Sequence, residues 1–121
     1  MSLKVLVVED DPDIMMAIVD GLEDLGHEPV SALDLSVAEA LSVAGKPDIA
    51  IVDHELPDGA GAEFAAKLRD QGVGKIVMFT GRGEQEIVMT AIDNGVIDYV
   101  LKGSGVDELL DRVSKHAAQV A

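Results

Sequence analysis

Four short, uninterrupted apolar runs constrain this chain more than any other feature: Val5-Leu6-Val7-Val8, Ile49-Ala50-Ile51-Val52, Ile76-Val77-Met78-Phe79 and Tyr99-Val100-Leu101. A strand with one wet face alternates apolar and polar residues. A continuous run rich in β-branched residues fits a parallel strand buried on both faces. Parallel neighbours need long crossover connections, and the stretches between the runs read as helices. Asp11-Pro12 supplies a capping side chain and a proline at the first helical position. Ile14, Ile18, Leu22 and Leu25 then share one face, and Gly26 ends the helix. Ser36 with Glu39 reads as a capping box ahead of Ala40 and Leu41, with Gly45 as the stop. Further helices are expected from Ala62 to Gln71, from Glu84 to Asp93 ahead of Asn94-Gly95, and from Val106 to Val120, the last started by Ser104.

The remaining strand is weak. Only His27 to Ala32 can supply it, and Pro29 lies inside it. Proline cannot donate to a ladder, so this strand belongs on a sheet edge. The result is an α/β chain, (βα)5, with residues 1–121 forming one domain without linker or repeat. Right-handed crossovers make it a doubly wound parallel sheet. The flavodoxin-like strand order 2-1-3-4-5, taken from known sheets of this kind, puts the proline strand on the edge.

Composition narrows the chemistry. The 23 acids against 9 bases give a net charge of -14, the wrong sign for direct binding to nucleic acid. No cysteine is present, so disulfides and thiolate metal sites are excluded, which is compatible with a reducing cytoplasm. No stretch approaches the length of a membrane span, so no membrane partner is expected. His27, His54 and His116 lack a metal-ligand spacing, and Met15, Met16, Met78 and Met89 read as packing.

Function in such sheets collects beyond the carboxyl ends of the strands. Those ends carry Glu9-Asp10-Asp11, Asp53, Thr80 and Lys102. Each alone has an ordinary reading: Asp11 as a helix cap, Glu9 and Asp10 as loop acids, Thr80 as a strand-end hydroxyl, Lys102 as a surface amine. Their joint placement at four strand ends favours a site. Asp53 carries the most weight, because it follows four apolar strand residues and precedes the turn Leu56-Pro57-Asp58-Gly59. Packed carboxylates repel unless a cation or protons join them. Mg2+ suits the set, being a hard ion that takes few carboxylates and accepts phosphate oxygens. An aspartate carboxylate can attack phosphorus and hold it. Mg2+ and Lys102 would then neutralise the phosphoryl oxygens.

With V-L-V-V-E-D-D-P, I-V-D-H-E-L-P-D-G, F-T-G and D-Y-V-L-K-G in this order, the chain resembles the response-regulator receiver domains of two-component signalling over essentially its full length. The resemblance implies that Asp53 is the phosphoacceptor for a phosphoryl group from a histidine kinase or phosphotransfer protein. It implies that Asp10 ligates Mg2+ directly, Glu9 through water and Glu55 through its backbone carbonyl. Thr80 would be the switch hydroxyl, Tyr99 its aromatic partner and Lys102 the phosphate-contacting lysine. The surface of helix four, strand five and helix five would then control an output domain or target protein, or a phosphorylation-dependent dimer. One departure stands out: Gly103 follows the lysine where the family commonly has proline. Glu55 and Arg82, two residues after Asp53 and Thr80, flank the water path in this family. They have opposite charge, and either pair across the mouth of the pocket or stay apart in solvent.

Three rivals fit less well. An FMN protein would need a phosphate loop after strand one, where Glu9-Asp10-Asp11 repel phosphate. A hydrolase working through an aspartyl-phosphate would carry its nucleophile on strand one. An interaction module that is never phosphorylated would have no need for the complete set of acids, threonine and lysine.

Overall fold

The computed structural model describes residues 2–119. Numbering the strands of the main sheet alone, β1 is Lys4–Val8, β2 Glu28–Ala32, β3 Ile49–Val52, β4 Lys75–Thr80 and β5 Asp98–Leu101. The helices are α1 Pro12–Asp24, α2 Leu35–Ala44, α3 Gly61–Asp70, α4 Gln85–Asp93 and α5 Val106–Ala117. All neighbouring strands are parallel, in the order β2-β1-β3-β4-β5. Pro29 lies on the edge strand, as its missing N–H requires.

The runs of β1, β3 and β4 are continuous because each of these strands feeds two cores, whereas the run Tyr99-Val100-Leu101 forms an edge strand whose Leu101 is 43% exposed. Leu6, Val8, Ala50, Val52, Ile76 and Met78 point to one face, where Ala38, Phe64, Ala65, Leu68 and Ala91 of α2, α3 and α4 cover them. Val5, Val7, Ile49, Ile51, Val77 and Phe79 point to the other, under Met15, Ile18 and Leu22 of α1 and Leu109 and Val113 of α5. Each such Val, Leu or Ile stabilises the fold by about 1.5–3 kcal/mol through burial alone. Among the described residues no helix is long and apolar enough to cross a membrane.

Several local expectations need correction. The cap of α2 is Asp34, not Ser36: its carboxylate accepts from Val37 N at 2.9 Å, and the Ser36 hydroxyl donates to it at 3.0 Å. A charged acceptor one residue ahead of the helix outcompetes a hydroxyl already inside its first turn. Leu25 is 46% exposed, because α1 ends at Asp24 and leaves it at the C-cap beyond the covered face. Ser104 does not start α5. It belongs to a 3-10 turn, Lys102–Ser104, and the chain enters α5 through Gly105 at φ 90 without a side-chain cap bond. A residue with a Cβ resists that φ, so glycine marks the entry. Helix α5 ends at Ala117, with Ala118 as its C-cap, short of the expected end at Val120, which itself lies outside the described residues. Met15 and Met78 pack in the cores, but Met16 and Met89 are exposed. Their positions on α1 and α4 face away from the sheet. The turn after Asp53 is a small antiparallel hairpin, Glu55–Leu56 against Gly59–Ala60. Among the described residues every peptide bond is trans, Lys102–Gly103 included.

Candidate functional site

The ladder sets the site's backbone. Glu9 N donates to Ala32 O and Asp53 N to Val8 O, both at 3.1 Å, so the first residue after β1 and after β3 stays in register with the sheet. Glu9, Asp53 and Thr80 are 2%, 5% and 1% exposed, which is unusual for such polar groups and requires partners. Lys102 is that partner for the acids. It leaves the end of β5 and places Nζ 2.9 Å from Asp53 Oδ2 and 3.0 Å from Glu9 Oε1. Glu9 Oε1 also accepts from Asp11 N at 3.1 Å, and Asp53 Oδ1 from Glu55 N at 3.4 Å. The Thr80 hydroxyl oxygen accepts from Arg82 N at 3.3 Å.

Burial shifts the titrations. Desolvation pushes the Glu9 carboxyl above its ordinary range, against the opposing bonds from Lys102 and Asp11. For Lys102, burial alone would favour the neutral amine, but bonds to Asp53 and Glu9 outweigh it and raise the pKa. Lys102 is therefore an ammonium ion at neutral pH.

Glu9, Asp10 and Asp53 each offer a carboxylate oxygen within 4.8 Å of the others. Three carboxylates face one ammonium, so the cluster carries excess negative charge that a divalent cation would offset. The donors are all oxygen, which fits Mg2+. Asp10, Asp53, Glu55, Thr80, Arg82 and Lys102 line a cleft of about 480 Å³. A larger groove of about 620 Å³ between α1 and α5 contains neither lysine nor arginine among its lining residues.

Glu55 and Arg82 meet across the mouth of that cleft through Glu55 Oε1 and Arg82 Nη1. Arg82 also binds Glu84 at 2.9 Å. The half-buried Tyr99 donates its hydroxyl to the Arg82 carbonyl. Burial and the Glu84 and Asp53 charges raise its pKa. The sequence-predicted residues Glu9, Asp10, Asp53, Glu55, Thr80, Arg82, Tyr99 and Lys102 thus gather at one sheet edge, while Asp11 caps α1 through Asp13 N and Ile14 N.

Two residues escaped sequence reasoning. A Cβ on Gly61 would lie 1.8 Å from the Asp53 carbonyl oxygen, so only glycine lets α3 start against the site. The glycine pair Gly59 and Gly61 was the available signal. Asp58, read only as a turn residue, accepts from Leu35 N at 2.8 Å and Ser36 N at 3.1 Å. Nothing local in the sequence announces a contact across 23 residues.

A doubly wound sheet with carboxylates, a hydroxyl and an ammonium at its carboxyl edge defines a class of small α/β signalling domains. The response regulator receiver domain model matches residues 5–114, and the chain belongs to that family. The phosphate regulon transcriptional regulatory protein PhoB of Escherichia coli K12 is 33% identical over 116 residues, 93% of this chain and 51% of PhoB. The chain thus spans about half the length of the curated relatives it matches. The BeF3-activated N-terminal receiver domain of Klebsiella pneumoniae RstA superposes with a TM-score of 0.85 at 30% identity, covering 93% of this chain and 97% of that one. A CheY-like receiver domain protein from Methanospirillum hungatei JF-1 shares the fold at a TM-score of 0.92 and 24% identity, covering 98% and 96%.

Proposed function

We propose that this receiver domain takes a phosphoryl group onto Asp53 from the phosphohistidine of a histidine kinase or phosphotransfer protein in the cytoplasm. The observation that carries the reading is the Lys102 ammonium bridging Asp53 and Glu9 beside the buried Thr80 hydroxyl. In the transfer, Asp53 attacks phosphorus, a P–O bond forms, and the P–N bond to the donor imidazole breaks with its electron pair remaining on nitrogen. Lys102, already preorganised, offsets charge on the phosphoryl oxygens. Glu9, Asp10, Asp53 and the Glu55 carbonyl would hold Mg2+, which supplies further neutralisation when bound.

Phosphorylation gives the Thr80 hydroxyl a new acceptor. Its inward movement makes room for Tyr99, whose bond to the Arg82 carbonyl joins it to the loop ahead of α4. The α4-β5-α5 surface then changes its population of states and controls an output domain, a target protein or a second copy. Direct contact with nucleic acid is not expected of this domain, given its charge of -14.

The test is labelling by a small phosphodonor such as acetyl phosphate. Wild type should gain one phosphoryl group in Mg2+, and excess EDTA should suppress it. Asp10→Ala should lose the Mg2+ response. Full labelling in EDTA would contradict the metal assignment, and no labelling under any condition would favour an interaction module that is never phosphorylated.

A further inference from the structure

We infer that Asp58 is a positioning residue for the phosphoacceptor site, acting from outside the cleft by clamping the Glu55–Ala60 hairpin to α2. This inference rests on the function proposed for Asp53. The hairpin has only two ladder pairs, Glu55 with Ala60 and Leu56 with Gly59. A ribbon that short does not hold its own geometry in water, so its anchors decide where Glu55 lies. Its base is closed by Gly61 N donating to His54 O at 2.7 Å. Its tip is held by Asp58, whose two oxygens accept separately from Leu35 N and Ser36 N at 2.8 and 3.1 Å.

These are the first two free N–H groups of α2, where a carboxylate also meets the positive end of the helix dipole. The hydrogen bonds hold the Asp58 carboxyl below its ordinary range, the bond from Leu35 foremost. Asp34 takes the next N–H, that of Val37. The two acids therefore divide the work: Asp34 caps α2 from within the same segment, and Asp58 ties α2 to the loop that presents Glu55. Gly59 reinforces the tie, since a Cβ there would come within 2.9 Å of Leu35 Cδ1. The Glu55 carbonyl, its N–H on Asp53 and its carboxylate on Arg82 all inherit their places from this hairpin.

Asp34 provides the control. Removing either acid takes one negative charge and one set of capping bonds from the same helix end, but only Asp58 touches the hairpin. Two readouts on Asp58→Asn, Asp58→Ala and Asp34→Ala separate positioning from plain destabilisation. In the absence of Mg2+, amide resonances of Asp53, Glu55 and Arg82 should shift in both Asp58 variants and stay in place in Asp34→Ala. Calorimetric Mg2+ titration should show about tenfold weaker binding for Asp58→Ala, the scale of a lost outer-shell support, and a change within about twofold for Asp34→Ala. In wild type, Mg2+ should also slow hydrogen exchange at Leu35 and Ser36, because coupling between sites is reciprocal. Unmoved site resonances in the Asp58 variants, or equal shifts and equal affinity losses in Asp34→Ala, overturn the inference. If the resonances move as stated but wild type binds no Mg2+, the positioning role stands and the metal assignment of the proposed function fails.

Discussion

Replacing Gly61 by alanine tests how tightly the phosphoacceptor is built into the fold. The added Cβ would fall 1.8 Å from the Asp53 carbonyl oxygen and 2.8 Å from Val52 Cγ1. Side-chain rotation cannot relieve the first contact, because the obstacle is backbone. To restore even a 3.0 Å approach, the start of α3 and the end of β3 must separate by at least 1.2 Å, the difference between 3.0 and 1.8 Å. Overpacking of this kind costs about 1–3 kcal/mol. For a chain of this size that corresponds to a fall in Tm of roughly 3–15 °C. The displacement also moves the Asp53 carboxylate relative to Lys102, so the rate of phosphorylation should fall more than stability alone explains. Gly74→Ala is the control: nothing lies within 4 Å of its would-be Cβ, and a compatible Gly→Ala change is neutral or stabilises by up to about 1 kcal/mol. Circular dichroism melts give the stability, and acetyl phosphate labelling at a temperature where both variants are folded gives the rate. A Gly61→Ala protein with wild-type Tm and wild-type labelling would refute the reasoning.

Asp98 accepts from Arg112 at 2.7 Å and His116 at 2.8 Å. Burial favours its protonated form, but these bonds outweigh burial and lower its pKa from the ordinary 3.8. Below about pH 4 the unfolded chain then binds more protons at this position, so its stabilisation is present above 3.8 and lost as pH falls through the lower folded value. Asp98→Asn should flatten the acid limb of a Tm-against-pH profile, and parallel profiles would exclude the effect. Glu55→Ala and Arg82→Ala should each speed loss of the phosphoryl group several-fold, with the double variant no faster than either. Simply additive effects on that rate would mean that the pair does not restrict water. Lys102→Met should leave Glu9 and Asp53 without their shared cation and lower Tm in the absence of metal. Saturating Mg2+ should recover part of the loss, and an unchanged metal-free Tm would mean that the ammonium is not balancing the acids.

The sheet was legible because two-sided burial writes itself as uninterrupted apolar runs, and Pro29 identified the edge. The site was legible for a related reason: each parallel strand ends at the same edge, so the residue after each run lands beside its neighbours. Glu9, Asp53, Thr80 and Lys102 could be placed together without coordinates. Helix starts were less readable. Ser36 has the pattern of a cap, yet Asp34 and Asp58 satisfy the first turn of α2 between them. One of those acids comes from another part of the chain, and no local pattern encodes that. Gly105 rather than Ser104 begins α5 because the backbone turn after Lys102 requires a positive φ. The Glu55–Arg82 pair could be proposed from charge and position, but solvated side chains of that length have many arrangements, and only coordinates choose among them.

The central claim is that Asp53 carries the phosphoryl group, and intact-mass spectrometry of wild type and Asp53→Asn tests it most directly. Both proteins are incubated with acetyl phosphate and Mg2+, and peptide mapping follows on any modified species. Wild type should gain the mass of one phosphoryl group on the peptide containing Asp53, and Asp53→Asn should gain none while remaining folded. Equal gain on the asparagine variant, or a modified peptide that lacks residue 53, would contradict the account.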